Sequence, residues 1–160
     1  MKLVEQGKLE IDEDINTYLD NLRIPQKYGR PITLRHLLTH TPGFEEKGVH
    51  LYALSANKLL PLQEALAKYQ PARVRPPGEI SSYSNYGTAL AGAIIANVTG
   101  MSYEEYLDKE IFQPLEMHDS TFRQPLPEKL KNRMAEGYRW KNGHFQKGEF
   151  EFIQLSPAGS

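Results

Sequence analysis

The fold of this chain is decided by a turn, Glu79-Ile80-Ser81-Ser82-Tyr83-Ser84-Asn85-Tyr86-Gly87, and the apolar run that follows it, residues 88–98. The run has no charged residue and leads to Thr99-Gly100, which predicts a buried helix closed by a glycine cap. Arg75-Pro76-Pro77-Gly78 predicts a tight turn just before it, because proline fixes φ and glycine accepts positive φ. We therefore expect residues 83–85 to be held firmly at the rim of a core helix.

Two side chains of this turn are suited to catalysis, Tyr83 and Asn85. A phenol with its ordinary pKa of about 10 is a poor base at neutral pH, but a nearby ammonium group would let it take a proton from a hydroxyl nucleophile. The amide of Asn85 offers a donor and an acceptor, which suits it to hold a substrate amide or a catalytic lysine. The alternative is structural: Tyr83 is an ordinary edge aromatic, and Asn85 is the N-cap of a helix that begins at Tyr86.

The remaining motifs extend over nearly the whole chain. They comprise Leu3-Val4-Glu5-Gln6-Gly7 with residues 8–14, Leu37-Leu38-Thr39-His40-Thr41-Pro42-Gly43 with residues 32–36, Pro76-Pro77-Gly78, Tyr83-Ser84-Asn85-Tyr86, Thr99-Gly100-Met101-Ser102-Tyr103, and Ile111-Phe112-Gln113-Pro114-Leu115-Glu116-Met117. In this order and at this spacing, they resemble the serine β-lactamase-like family. That family contains class C β-lactamases, D-alanyl-D-alanine peptidases of the penicillin-binding protein group and related esterases.

The resemblance implies a fold that is mainly α, of the α+β class, with residues 1–160 as a single domain. This domain would be the helical lobe of the β-lactamase/transpeptidase-like fold, with a short β-hairpin near its C-terminus. The α/β lobe would lie outside the chain. So would the nucleophile, a Ser-x-x-Lys serine expected before Met1, and a Lys/His-x-Gly strand expected after Ser160.

By the same resemblance, the parent protein is a penicillin-recognising serine hydrolase of β-lactamase or D-alanyl-D-alanine carboxypeptidase type, acting through an acyl-enzyme. Tyr83 and Asn85 are the catalytic residues that can be carried over, and Ser84 fills a variable position. No cofactor or metal is implied, and we expect the chain alone to be inactive. Two alternatives remain: a carboxylesterase of the same family, and a non-catalytic module that binds a peptidoglycan-like ligand or a protein.

Composition limits the partners. The chain has 160 residues, 39% hydrophobic and 24% charged, with a net charge of −1 and no cysteine, which is ordinary for a globular protein and excludes disulfides. Nothing in this charge predicts nucleic-acid or membrane contact. We expect a small-molecule or peptidoglycan-type substrate and an extracytoplasmic bacterial location, with any export signal upstream. The α/β lobe would normally cover an apolar face of this domain, and exposure of that face in the isolated chain would favour a homo-oligomer.

Outside the core helix, the sequence pattern predicts helices over residues 1–6, 13–19, 33–40, 61–69 and 102–112. Asp12, Thr33 and Ser102 are the predicted N-caps, the last in a capping box with Glu105. Leu34, Leu37 and Leu38 are predicted to form one apolar face. Asn142-Gly143 predicts a hairpin that pairs residues 138–140 with residues 145–152.

Three further features could imitate functional motifs. Ser55-Ala56-Asn57-Lys58 matches Ser-x-x-Lys literally, but it stands in the wrong place for the family's nucleophile. His36 and His40 have the spacing of a zinc pair without a third ligand, so capping and packing are the favoured roles. Trp140 with Tyr138 and Phe145 could line a substrate groove, although hairpin aromatics more often pack.

Overall fold

The computed structural model of the chain describes residues 1–158, in which helices form most of the regular structure. The helices are α1 (Lys2–Glu5), α2 (Leu34–Leu38), α3 (Leu62–Lys68), α4 (Asn85–Thr99), α5 (Tyr103–Leu107) and α6 (Glu128–Lys131), and the strands are β1 (Tyr52–Ala53), β2 (Tyr138–Lys141), β3 (His144–Lys147) and β4 (Phe152–Ile153). This mixture of helices and small sheets agrees with the predicted α+β class.

Helix α4 lies at the centre of the core, as its uncharged sequence predicts. Leu90 and Ile94 are fully buried, and the helix packs against α2, α3 and α5. Gly100 ends it in the left-handed conformation at φ 68°, which a residue with a Cβ adopts only at a cost. The Tyr86 hydroxyl donates to the Leu66 carbonyl of α3 at 2.9 Å. The predicted core helix and its glycine cap are therefore confirmed.

The second predicted helix is a shorter element, a 3₁₀ turn over Ile15–Tyr18. Its N-cap is Asp14, whose carboxylate accepts from the Asn16 backbone N–H at 2.9 Å. The prediction of Asp12 was wrong, because Asp12 is used elsewhere: its two oxygens receive the guanidinium of Arg35 at 2.7 and 2.8 Å. The two neighbouring aspartates thus have different roles, Asp14 in the cap and Asp12 in a long-range ion pair.

Helix α2 starts at the predicted cap and ends earlier than predicted. The Thr33 hydroxyl accepts from the His36 backbone N–H, and the His36 ring accepts from the Thr33 backbone N–H, forming a capping box. Helix α2 stops at Leu38 because His40 takes a positive φ of 53°. Leu37 is buried, but Leu38 is 54% exposed, so the predicted apolar face holds for Leu34 and Leu37 only.

The C-terminal part follows the predicted pattern with one change of pairing. Asn142 and Gly143 have φ values of 53° and 82° and join β2 to β3, with Trp140 opposite Phe145. Two positive φ values are the signature of the tight turn that Asn-Gly favours. The predicted second strand was too long, however: β3 ends at Lys147, and β4 pairs instead with β1, about one hundred residues away in the chain.

Two other predicted helices lie close to their expected positions. Helix α3 is flanked by Pro61 and Tyr69 and buries Ala65 and Leu66. The capping box of α5 is present, since the Ser102 hydroxyl and the Glu105 carboxylate each accept from the other residue's backbone N–H. Within residues 1–158, none of the helices combines the length and apolar character that a membrane span requires.

Candidate active site

The turn before α4 is fixed by Ser84. Its side chain is 1% exposed, and its hydroxyl accepts from the Gly87 backbone N–H at 3.0 Å. Ser84, rather than Asn85, is therefore the N-cap of α4. The alternative capping role for Asn85 is wrong, and the Asn85 side chain is available for another purpose. Burial and capping also make the Ser84 hydroxyl unsuited to act as a nucleophile.

His40 stabilises the same turn through two hydrogen bonds. Its carbonyl accepts from the Ser82 backbone N–H at 2.8 Å, and its Nδ1 accepts from the Ser84 backbone N–H at 3.3 Å. The acceptor role of Nδ1 implies that the neutral ring carries its proton on Nε2. His40 makes both contacts from a backbone conformation with a positive φ of 53°. His40 is thus a structural clamp on residues 82–84.

Tyr83 packs against His40 and is partly exposed to solvent. Its ring packs on the imidazole of His40 with ring centroids 4.6 Å apart, while the residue remains 55% exposed. Among residues 1–158, no group forms a hydrogen bond with the Tyr83 hydroxyl. One face of the ring is therefore fixed while the hydroxyl faces outward.

Asn85 is held by a side chain that the sequence analysis did not identify, Glu46. One carboxylate oxygen of Glu46 accepts from Asn85 Nδ2 at 2.7 Å, and the other accepts from the Asn85 backbone N–H at 3.2 Å. Because a carboxylate only accepts, these contacts fix the amide orientation and leave Oδ1 as a free acceptor. No local motif reveals Glu46, because it lies 39 residues before Asn85.

The two tyrosines of the Tyr83-Ser84-Asn85-Tyr86 motif differ in environment. Tyr86 is buried, and burial raises the pKa of its hydroxyl well above the ordinary value. Its proton is also committed to the Leu66 carbonyl. Tyr86 is therefore a packing residue, and Tyr83 is the tyrosine of this motif that an incoming group can reach.

The literal Ser-x-x-Lys match forms no catalytic pair. Ala56–Lys58 is a three-residue 3₁₀ turn rather than an α-helix, and the Ser55 hydroxyl donates to Asn57 Oδ1 at 2.6 Å. The Lys58 backbone N–H donates to the Ser55 carbonyl at 3.0 Å, but within residues 1–158 the Lys58 ammonium forms no hydrogen bond with the Ser55 hydroxyl. These contacts favour the interpretation that the match is coincidental.

The two histidines have the capping and packing roles that the sequence favoured. His36 closes the α2 capping box and His40 clamps the turn before α4. In the described part of the chain, no group of three or more potential ligand side chains is arranged as a metal site. Trp140 packs edge to face on Phe145, with ring centroids 4.9 Å apart.

A large groove in the described structure lies elsewhere. It has a volume of about 1070 Å³ and lies between α6 and the hairpin, with Leu130, Tyr138 and Phe150 in its walls. Neither Tyr83 nor Asn85 lines it. The candidate site at the N-terminus of α4 therefore lies outside this groove.

The resemblance to the serine β-lactamase-like family can be tested by comparison with known proteins. The sequence model of the family described as Beta-lactamase matches residues 1–158. The chain belongs to the Beta-lactamase family.

Individual relatives differ in their reported activities. The chain is 30% identical over 138 residues to the D-alanyl-D-alanine-carboxypeptidase/endopeptidase AmpH of Escherichia coli, covering 84% of this chain and 36% of that protein. It is 31% identical over 165 residues to an ML-236A carboxylate methylbutanoyltransferase of Penicillium citrinum, covering 89% of this chain and 39% of that protein. The chain therefore spans less than two fifths of the length of either relative.

Solved structures show the same fold. The octameric penicillin-binding protein homologue of Pyrococcus abyssi matches with a TM-score of 0.73 at 30% identity, over 97% of this chain and 39% of that one. The penicillin-binding protein of Bacillus halodurans matches with a TM-score of 0.64 at 32% identity, over 91% of this chain and 44% of that one.

Proposed function

We propose that this chain is the central part of a penicillin-recognising serine hydrolase that works through an acyl-enzyme. The observation that carries the proposal is the fixed corner at the start of α4. There, the exposed Tyr83 packs on His40 and Asn85 is oriented by Glu46. A side chain that serves only packing has no need of an outward hydroxyl or of an amide with its acceptor atom left free.

In the proposed reaction, a serine outside this chain attacks the acyl carbonyl of the substrate. Tyr83, acting as a phenolate beside the ammonium group of a lysine from the same outside motif, takes the serine proton and passes it to the departing group. Asn85 Oδ1 accepts from a substrate amide or from that lysine. Backbone N–H groups stabilise the tetrahedral intermediate, and water then releases the acyl group from the serine.

Two substrate types fit these residues. A β-lactam or D-alanyl peptide is supported by the similarity to AmpH. An ester or another acyl donor is supported by the similarity to the fungal methylbutanoyltransferase. We propose the former as the main activity, in an extracytoplasmic bacterial setting where peptidoglycan is available, and keep carboxylesterase activity as the alternative.

Self-association is the proposed consequence of exposed apolar side chains. Val49 is 70% exposed and Leu54 is 95% exposed, and exposed apolar side chains that form a contiguous patch mark surfaces of association. We propose that the isolated chain dimerises or aggregates through such residues, and that the rest of the parent protein covers them. Light scattering of the chain tests this, and a strictly monodisperse monomer would contradict it.

Intact-mass spectrometry tests the catalytic proposal. The 160-residue chain, wild type and Ser55→Ala, is incubated with a fluorescent penicillin and separately with a fluorophosphonate, and the full-length enzyme is treated in parallel. We expect an adduct on the full-length enzyme and none on the chain, because nucleophile, lysine and oxyanion donors act as a unit. An adduct on the chain that disappears in Ser55→Ala would show that Ser55 is the nucleophile and that the proposal is wrong.

A further inference from the structure

The carboxylate of Glu46 lies at the N-terminus of α4, a position that commonly binds anionic ligands. The N-terminus of a helix carries unpaired backbone N–H groups and a partial positive charge, and therefore binds carboxylates and phosphates. In α4, a helix of 15 residues, the carboxylate of Glu46 already receives the Asn85 backbone N–H and side-chain amide. The chain thus places its own negative charge beside Tyr83.

This charge is not neutralised by a neighbouring cation. The adjacent Lys47 pairs with Glu45 at 3.1 Å, and among residues 1–158 Glu46 takes part in no ion pair. The Glu46 side chain is exposed, so its field reaches whatever binds at this corner. An uncompensated carboxylate attracts a cationic group and repels an anionic one.

We propose that Glu46 is a specificity-determining residue. Its carboxylate, held on Asn85, selects acyl donors whose acyl chain is neutral or carries an ammonium group, and rejects those whose acyl chain carries a carboxylate. The inference rests on the proposed function, because it takes Asn85 as the residue that contacts the acyl chain. A carboxylate in the acyl chain could not bind at the N-terminus of α4, because Glu46 already occupies it. The negative charge of Glu46 would also repel that carboxylate.

The test compares matched substrates in the full-length enzyme. The p-nitrophenyl esters of hexanoic, 6-aminohexanoic and adipic acid share a six-carbon acyl chain that ends in a methyl group, an ammonium group or a carboxylate. The quantity measured is the ratio of kcat/KM for the ammonium ester to that for the carboxylate ester. This ratio cancels any general loss of activity in a variant.

We expect a ratio of about tenfold or more in the wild type, which is the size of effect that one unit charge exerts at contact range near a protein surface. Glu46→Gln retains an acceptor oxygen for Asn85 Nδ2 and should bring the ratio close to one. Glu46→Lys should invert it. Glu64→Gln, which removes an exposed carboxylate of α3 that does not contact Asn85, is the matched control and should retain the wild-type ratio.

The possible failures are distinguishable. Turnover of the hexanoate ester with the same ratio in wild type, Glu46→Gln and Glu46→Lys would overturn the role of Glu46 and leave the proposed function standing. Absence of any turnover or acyl adduct in the wild type, with all three esters and with penicillin, would overturn the proposed function and the inference that rests on it.

Discussion

Replacing Gly43 by alanine should destabilise the chain more than the same replacement at Gly7 or Gly48. Gly43 has φ +78°, and a Cβ added there would lie 2.9 Å from the carbonyl carbon of Arg75 and closer still to its oxygen. The Gly43 carbonyl also accepts from the backbone N–H groups of Val74 at 2.8 Å and Arg75 at 3.3 Å. Because the obstructing atoms belong to the backbone, no side-chain rotation relieves the overlap.

The expected loss of stability is the sum of a conformational cost and the cost of weakened hydrogen bonds. A non-glycine residue in the left-handed region costs about 1 kcal/mol. Separating the two segments weakens two backbone hydrogen bonds, each worth about 1 kcal/mol. Gly43→Ala should therefore lower the free energy of unfolding by about 3 kcal/mol, which is a large part of the stability of an ordinary domain. It should also disturb the loop that carries His40 and Glu46.

Two matched variants separate these effects in urea unfolding. Gly7 has φ +67° and no atom within 4 Å of an added Cβ, so Gly7→Ala reports the conformational cost alone. Gly48 has open space and no positive φ, so Gly48→Ala should change stability little. The urea concentration at the unfolding midpoint should be highest for Gly48→Ala, lower for Gly7→Ala and lowest for Gly43→Ala. The dependence of the unfolding free energy on urea concentration should be the same in all three variants. A Gly43→Ala midpoint no lower than that of Gly7→Ala would refute the steric argument.

Three other variants test the core and the caps. Tyr86→Phe removes the buried hydrogen bond to the Leu66 carbonyl and should cost about 1 kcal/mol in urea unfolding; no loss would show that the bond contributes nothing. Leu90→Ala, at a fully buried position, should cost about 3 kcal/mol, and a loss below about 1 kcal/mol would contradict its place in the core. Burial lowers the pKa of His36 from its ordinary 6.5, so the unfolded state takes up a proton first and stability should fall as pH drops below about 6.5. His36→Gln should flatten this pH dependence while the exposed His118→Gln leaves it unchanged, and an equally steep profile in His36→Gln would refute the assignment.

Local sequence chemistry was sufficient to predict several elements. The uncharged run with Gly100 behind it predicted α4 and its C-cap, Thr33 and Ser102 predicted the starts of α2 and α5, and Asn142-Gly143 predicted the hairpin turn. In each of these cases, the deciding contact lies within a few residues of the chain. Such contacts depend on local residue types and spacing, which the sequence displays directly.

Other features depend on residues far apart in the chain. The sequence analysis chose Asp12 as the cap over the nearby Asp14, and the ion pair that Asp12 forms with Arg35, 23 residues away, was not visible in the local pattern. The pairing of β1 with β4 likewise joins segments about one hundred residues apart. A two-residue strand has no alternating pattern long enough to be recognised.

The candidate site also contains some residues that the sequence could identify and others that only the structure reveals. Tyr83 and Asn85 could be proposed from the resemblance of the whole chain to a family, whereas their motif alone favoured a structural role. His40 was assigned only to capping and packing, and Glu46 was missed, because their relation to the turn depends on how the loop over residues 39–46 folds back on it. The residues that orient a site therefore emerged only from the structure.

The central claim is that Tyr83 handles a proton in acyl transfer. The most direct test is the single-turnover acylation rate of the full-length enzyme, followed by quenching and intact-mass spectrometry, with the acyl donor that labels the wild type fastest. Tyr83→Phe should slow acylation by about 10² to 10⁴-fold, the usual contribution of a positioned acid or base, while Tyr138→Phe, at an equally exposed tyrosine, should not. An acylation rate for Tyr83→Phe within about twofold of the wild type would contradict the claim.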